Sequence, residues 1–389
     1  MSKHLRGKVA IAGVGTAGLG RADGFSELEI LAQASLRAIE DAGLKLSDID
    51  GISTCSSLSA MWALSVVEYL GIRPTYIDST MLGGSSYIAH ILPAMAALDS
   101  GQCNAVLVCY GSTQRSATFN RSELANVRKL IDPQPFEAPY NPPMPLSAYA
   151  LAAGRYMHEF GVTRDQLSEV AVSARKWAAL NPEALAKDPI SIADVSQARK
   201  ICDPLTVLDC CMVTDGAGAF ILVRSDRAKD LRKKPVYVLG NASAVWNRQI
   251  SCMDDFTRTA AIESGARSFD MAGYRAKDMD LAMLYDAFTI NTLLFLEDLG
   301  FCAKGEAGQF VSNGGIAPGG HLPVNTNGGG LSFVHPGMYG VFLVIEAVRQ
   351  LRGEGGKRQL DQPNLAVVHG NGATLSSQAT AVLGTQSTL

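Results

Sequence analysis

The chain carries no strong excess of either charge: 34 Lys and Arg stand against 37 Asp and Glu, a formal net charge of −3 over 389 residues. That balance gives no basic field to gather a phosphate backbone, so nucleic acid is not an expected partner. No apolar run approaches the ~20 residues that cross a bilayer, so no membrane span is expected. The first residues, MSKHLRGKVAIAGVGTAG, are basic but hold only a short glycine-rich apolar stretch. They read as a first strand rather than a secretory leader. Eight cysteines are present, none in a C-x-x-C pair, and Cys210 and Cys211 are adjacent. This spacing suits neither a zinc knuckle nor a disulfide ladder. Reduced, mostly buried thiols in a cytoplasmic protein without a metal site are the expectation.

What is present is a well-cored chain, 47% hydrophobic and 18% charged, long enough for two packed halves. Strand-like and helix-like segments alternate: strands near 8–12, 50–54, 75–79 and 105–110, helices over 25–42, 60–70 and 87–98. Such alternation predicts an α/β layer structure with a largely parallel sheet. From 112 to 202 the texture changes, with proline-rich PQPFEAPYNPPMP at 133–145, and reads as an excursion that leaves the sheet and returns. A second α/β series follows Pro235. Each half has a helix entered from a Gly-rich turn, GGSSYIAH at 83–90 and GMYGVFLV at 337–344. The chain is therefore divided into halves at 1–230 and 231–389.

Several motifs carry chemistry. GVGTAG at 13–18 formally matches G-x-G-x-x-G, but no helix opens on it and no acidic residue ends the next strand. It reads as a strand-to-loop turn rather than a nucleotide site. YDAFT at 285–289 ends a strand and starts a helix, where side chains of open α/β sheets meet ligand. HGNGATLSSQ at 369–378 places His369 at a strand end, followed by glycines whose N–H groups can approach a ligand oxygen. NTNGGGLSFVHPGMYG at 325–340 crowds five glycines around His335 before an apolar helix. His90, His158 and His321 have weaker contexts and read as packing or surface residues.

At these residues the chain resembles the thiolase superfamily, in its sterol-carrier-protein-x-like or thiolase-like lipid-transfer branch. YDAFTINTLLFLEDLGF at 285–301 is similar to the branch's H-D-C-F-x-x-N-E-L-L block. NTNGGGLSFVHPGMYG resembles its N-x-x-G-G…G-H-P-x-G block, and VRQLRGEGGKRQL at 348–360 the helix and turn that follow. The resemblance implies an α/β fold of two topologically similar halves in a layered α-β-α-β-α core. Ordinary thiolases place a nucleophilic cysteine at the start of the first-half central helix. Here the matching segment is TMLGGSSYIAH, with Met81 or Leu82 at that place and no cysteine between Cys55 and Cys103. The second thiolase cysteine matches His369, the N-E-A-F asparagine matches Tyr285, and His335 alone is retained.

Neither a thioether nor an alkyl chain attacks a thioester, so a covalent acyl-enzyme through 81 or 82 is excluded. An acid–base and oxyanion site remains. His335 and the N–H groups of Gly370, Asn371 and Gly372 would polarise a carbonyl, and Tyr285, Tyr339 or His369 would move a proton. The resemblance implies an acyl-CoA enzyme breaking or making a carbon–carbon bond beside a carbonyl, without a covalently bound cofactor and with the coenzyme A thioester as substrate. It also implies a homodimer and a small OB-fold partner. The rival readings are a silent acyl-CoA carrier or scaffold, a residual acetyl-CoA acyltransferase, and a serine acyltransferase through Ser85 or Ser86.

Overall fold

The computed structural model describes residues 2–116 and 137–389. The middle of the excursion, with Pro133 and Pro135, lies outside the described residues. Nine strands form one sheet: β1 (Val9–Gly20), β2 (Gly51–Thr54), β3 (Tyr76–Asp78), β4 (Ala105–Ser112), β7 (Asp215–Arg224), β8 (Val236–Val245), β9 (Leu281–Leu284), β10 (Leu365–Gly372) and β11 (Ser377–Gly384). Two short strands, β5 (Lys200–Cys202) and β6 (Leu205–Thr206), pair apart from it. The sheet order is β3-β2-β4-β7-β1-β8-β11-β10-β9. Reading outward from the central β1–β8 pair, the second series repeats the first without an outermost strand.

The expectation of a largely parallel sheet is corrected. Only β2–β3, β2–β4 and β9–β10 are parallel; β1–β7, β1–β8, β4–β7, β8–β11 and β10–β11 are antiparallel. Apolar strands buried on both faces read alike in either orientation. The direction is set by connections: residues 373–376 join β10 to β11 as a hairpin, and the long excursion returns β7 against β4.

The GVGTAG segment is also corrected, from turn to strand interior. β1 runs through it with bulges beside Gly13 and before Gly20. A Cβ on Gly13 would lie 2.1 Å from the Ala38 carbonyl oxygen, and one on Gly15 2.3 Å from that of Ala34. Both carbonyls belong to helix α1 (Glu27–Ala42). The glycines admit a helix backbone onto the strand, and no phosphate has room there. The start of α1 is fixed by a capping box in which Ser26 and Glu29 each bond the other's N–H.

Helices lie at three levels. α1 covers the outer face of β1, β4 and β7, and α6 (Ala261–Ala272) that of β8 and β11. Between the two series run α2 (Ser86–Ala89) with α3 (Ile91–Asp99), and α8 (Gly340–Arg352), touching strands of both. Outside stand α4 (Leu146–Phe160) and α5 (Arg164–Ala179), packed on α7 (Thr289–Asp298), which is buried along its whole length. Among the described residues no helix is long and apolar enough to cross a membrane. The two inner helices begin beside each other: a Cβ on Gly340 would sit 2.1 Å from the Gly84 carbonyl oxygen.

Candidate active site

Where β9 ends, Tyr285 donates its N–H to the His369 carbonyl at 3.0 Å, extending the parallel ladder by one residue. Its ring turns inward and lies on Gly84. The Tyr285 hydroxyl accepts the Tyr339 N–H at 3.2 Å and donates to the Gly337 carbonyl over a long 3.4 Å. Tyr339 is the residue before α8, which has no side-chain cap of its own. A second tyrosine completes this end: Tyr110 accepts the Met338 N–H at 3.2 Å and donates to the Pro336 carbonyl. Two distant phenols thus satisfy amides that a helix start leaves unpaired. Burial pushes the Tyr285 phenol well above its usual range, and the Tyr339 amide offsets only part of this. It is a protonated donor.

His335 stands across from it. Its N–H donates to the Thr214 hydroxyl at 2.9 Å, and its carbonyl accepts the Thr214 N–H at 3.4 Å. The clamp pins the His335 strap to the residue before β7. The rings of Tyr285 and His335 meet edge-on, centroids 5.4 Å apart, and the Tyr339 ring stacks on His335 at 5.8 Å. Burial draws His335 down to about 4, while a bond to its own backbone pulls the other way. The ring is neutral. Its Nε2 is buried and has no partner among the described residues. A neutral ring with Nδ1 donating leaves a lone pair on Nε2.

The residues around His335 explain its placement. Asn325, at φ 52°, accepts the Leu284 N–H through its side chain at 2.8 Å. Thr326 donates to Glu346 at 2.8 Å, and Glu346 is held by Arg358 in a buried two-contact pair at 2.9 Å each. Asn327 accepts both the Gly329 N–H and the Tyr339 hydroxyl, at 2.9 and 3.0 Å. Asp286, fully buried, accepts the N–H groups of Gly330 at 2.7 Å and Leu331 at 3.4 Å. Burial lifts its carboxyl to about 7 despite these bonds. Gly330 is needed because a Cβ there would lie 2.8 Å from the His335 ring.

Two of the expected proton movers are committed elsewhere. The Tyr339 hydroxyl gives its hydrogen to Asn327, so its backbone amide is what serves Tyr285. His369 points to the opposite face of β10, its ring 4.5 Å from that of Phe295. Its Nδ1 meets Thr380 and its Nε2 meets Gln378, both at 2.9 Å. Since Gln378 offers its carbonyl oxygen, Nε2 carries the hydrogen. Burial draws His369 to about 3. It is a structural histidine, and the expectation that it moves a proton does not fit these bonds.

The glycines after His369 face inward for close packing. A Cβ on Gly370 would lie 3.0 Å from the Ser85 Cα, and one on Gly372 1.7 Å from the Leu82 carbonyl oxygen. Because Gly372 accepts the Ser376 N–H and His369 accepts that of Tyr285, alternation turns the Gly370 and Gly372 amides toward β11. The Asn371 amide alone faces the end of β9. The Asn371 side chain is spent on Tyr149 and Gln378, at 2.9 and 2.8 Å.

Ser85 bonds the Leu82 carbonyl and Ser377, while Ser86 accepts the Leu82 N–H. Among the described residues neither is hydrogen-bonded to a histidine or carboxylate that would activate it. Met81 is 44% exposed and Leu82 precedes the turn, while Gly84 lies against the Tyr285 ring. The thiols nearby are held protonated: burial raises Cys55, and burial with Asp286 raises Cys211. Gly84, Tyr110, Thr214, Asp286 and Asn327 were missed from sequence. Asp286 and Asn327 sat inside the quoted motifs, whereas Tyr110 and Thr214 gave no local signal.

Comparison with known proteins places the chain in a family. Residues 242–385 match the family described as Thiolase C-terminal domain-like. The chain is 35% identical to 17-hydroxy-3-oxo-4-pregnene-20-carboxyl-CoA lyase of Mycobacterium tuberculosis, covering 90% of this chain and 92% of the relative. It is also 35% identical to a steroid side-chain-cleaving aldolase of Thermomonospora curvata, covering 96% and 97%. Among solved structures, the Ltp2-ChsH2(DUF35) aldolase superimposes with a TM-score of 0.88 at 31% identity, covering 98% of each chain. The chain belongs to the thiolase superfamily, in its thiolase-like lipid-transfer branch.

Proposed function

We propose that the chain is an acyl-CoA lyase of the retro-aldol type, splitting a β-hydroxyacyl thioester without a covalent intermediate. One observation carries the reading: a protonated phenol, Tyr285, faces a neutral histidine with an unpartnered Nε2, and among the described residues no activated nucleophile stands beside them. In the step, His335 Nε2 takes the proton of the β-hydroxyl. The Cα–Cβ bond breaks, the β-carbon leaves as a ketone or aldehyde, and its electron pair moves onto the thioester as an enolate. Tyr285 then returns a proton to Cα, and the pair is reset by passing the proton from imidazolium to phenolate. A thioester oxygen would sit by the Asn371 N–H. A placed general base contributes ~10²–10⁴ in rate and an aimed oxyanion donor about 10²–10³.

The two similar relatives are named as a lyase and an aldolase, which supports cleavage over acyl transfer. The carrier reading anticipates wide separation of His335, His369 and Tyr285; the edge-on contact of Tyr285 with His335 counts against it, although His369 stands apart with Gln378 and Thr380. The test is incubation with β-hydroxyacyl-CoA thioesters and detection of the shortened acyl-CoA with its ketone or aldehyde. Absence of both products across linear and steroid acyl groups, with a partner subunit supplied, would remove the reading.

Two assemblies belong to the same proposal. The solved aldolase pairs Ltp2 with ChsH2(DUF35), which supports a partner protein for this chain; that it is a small OB-fold protein is part of the proposal. A homodimer is supported by β3, an edge strand of three residues with Ile77 exposed and Leu58, Met61 and Leu64 exposed nearby in sequence. Light scattering at twice the chain mass is the expected result.

A further inference from the structure

Gly84 has no side chain, and the space that a side chain would fill belongs to one group. A Cβ built there lies 2.3 Å from Cε2 and 2.4 Å from both Cζ and the hydroxyl oxygen of Tyr285. Its three nearest atoms are all from that phenol. Gly84 is not among the positive-φ glycines, so its backbone does not need glycine; only the space does. The turn cannot retreat either. The Gly84 carbonyl already abuts Gly340 so closely that a Cβ there would be 2.1 Å away, and a Cβ on Gly370 would lie 3.5 Å from it. Nor can the phenol swing aside freely, held by the Tyr339 N–H and Gly337 carbonyl between the rings of His335 and Tyr339.

We propose that Gly84 is the specificity-determining residue of the site: a side chain at 84 and the phenol of Tyr285 exclude each other. The absent side chain admits the proton donor, and the same vacancy leaves no side chain at 84 to act as a nucleophile. Covalent and noncovalent chemistry are thus alternative fillings of one volume, set by the pair 84 and 285. This rests on the retro-aldol reading for what the phenol does, but not for how it packs. Any chain with a larger residue at the position of Gly84 must carry a smaller one at that of Tyr285.

The experiment is a double-mutant cycle on the full chain with Gly84→Ala, Tyr285→Asn and the pair, followed by thermal unfolding and by turnover. Tyr285→Asn removes the ring together with the hydroxyl that accepts the Tyr339 N–H, so its own loss of Tm is the reference from which the second methyl is read. Gly84→Ala alone should lower the Tm, and lower kcat about 100-fold with KM changed only a few-fold, since the donor is displaced rather than the substrate. In the Tyr285→Asn background the same methyl should cost no further Tm. If Gly84→Ala fails to fold alone yet folds with Tyr285→Asn, the exclusion stands. An equal loss in both backgrounds, or no loss of Tm in the parent, overturns it. The unfolding arm needs no substrate, so failure of the retro-aldol reading would show separately, as a parent chain without turnover.

Discussion

The hydroxyl of Tyr285 accepts the backbone N–H of Tyr339 at 3.2 Å, tying the end of β9 to the first turn of α8. The bond joins residues 54 positions apart, and it gives the phenol a fixed direction beside His335. The amide at a helix start favours negative charge on the oxygen it meets. Burial works against this and wins, so the group rests as phenol and can meet an enolate as an acid.

Tyr285→Phe should therefore abolish cleavage while leaving the fold in place. The loss expected is ~10²–10⁴ in kcat, the range of a placed acid or base. His335→Ala should do the same. Circular dichroism would confirm the fold, and unchanged turnover in both variants would sink the mechanism.

The two site-region histidines should stay neutral well below the ordinary range. His335 is drawn to about 4 and His369 to about 3, both by burial. An unfolded chain takes up these protons near 6.5, before the native chain does. Their contribution to stability is thus complete above that pH and is lost as pH falls toward 4. Nitrogen-edited NMR of labelled histidine reads this directly; an imidazolium at either site at pH 6 contradicts it.

Asp286 has the opposite sign. Its carboxyl is raised to about 7 in the native chain from a usual 3.8, so the native state holds the proton longer than the unfolded state. Stability falls as pH rises between those values and is level above them. Asp286→Asn removes that dependence, so its Tm relative to the parent should climb from pH 4 to 7 and then level off. Each step of one pH within that window changes the difference by about 1.4 kcal/mol. A difference that does not vary with pH would refute the assignment.

Ser85→Ala and Ser86→Ala should keep turnover within about tenfold of the parent, since each hydroxyl only pins the turn that carries Gly84. Intact-protein mass spectrometry after exposure to acyl-CoA should show no acyl mass gain in the parent. A gain abolished by either change would reinstate a serine nucleophile.

Much of the architecture was legible because it is local. The apolar periods located the strands near 8–12, 50–54, 75–79 and 105–110, although β1 runs on to Gly20 and β4 to Ser112. The motif around His335 was legible for the same reason: its asparagines and glycines each answer a nearby demand, as Asn325 does for Leu284 and Gly330 for the His335 ring. Strand direction was not legible, since a buried apolar strand looks alike either way round. Nor was the fate of His369, whose strand-end setting equally suits a ligand and a buried network with Gln378 and Thr380.

By itself the sequence determined that the usual nucleophile is missing and that a tyrosine and a histidine remain, because residue identity alone rules out attack by Met81 or Leu82. Only the tertiary structure brought Gly84 against Tyr285. Gly84 and Tyr285 are 201 residues apart, and nothing local tells a glycine kept for its turn from one kept for its empty volume. That volume exists only where the inner helices and β9 converge, and there the phenol lies where a side chain would otherwise be.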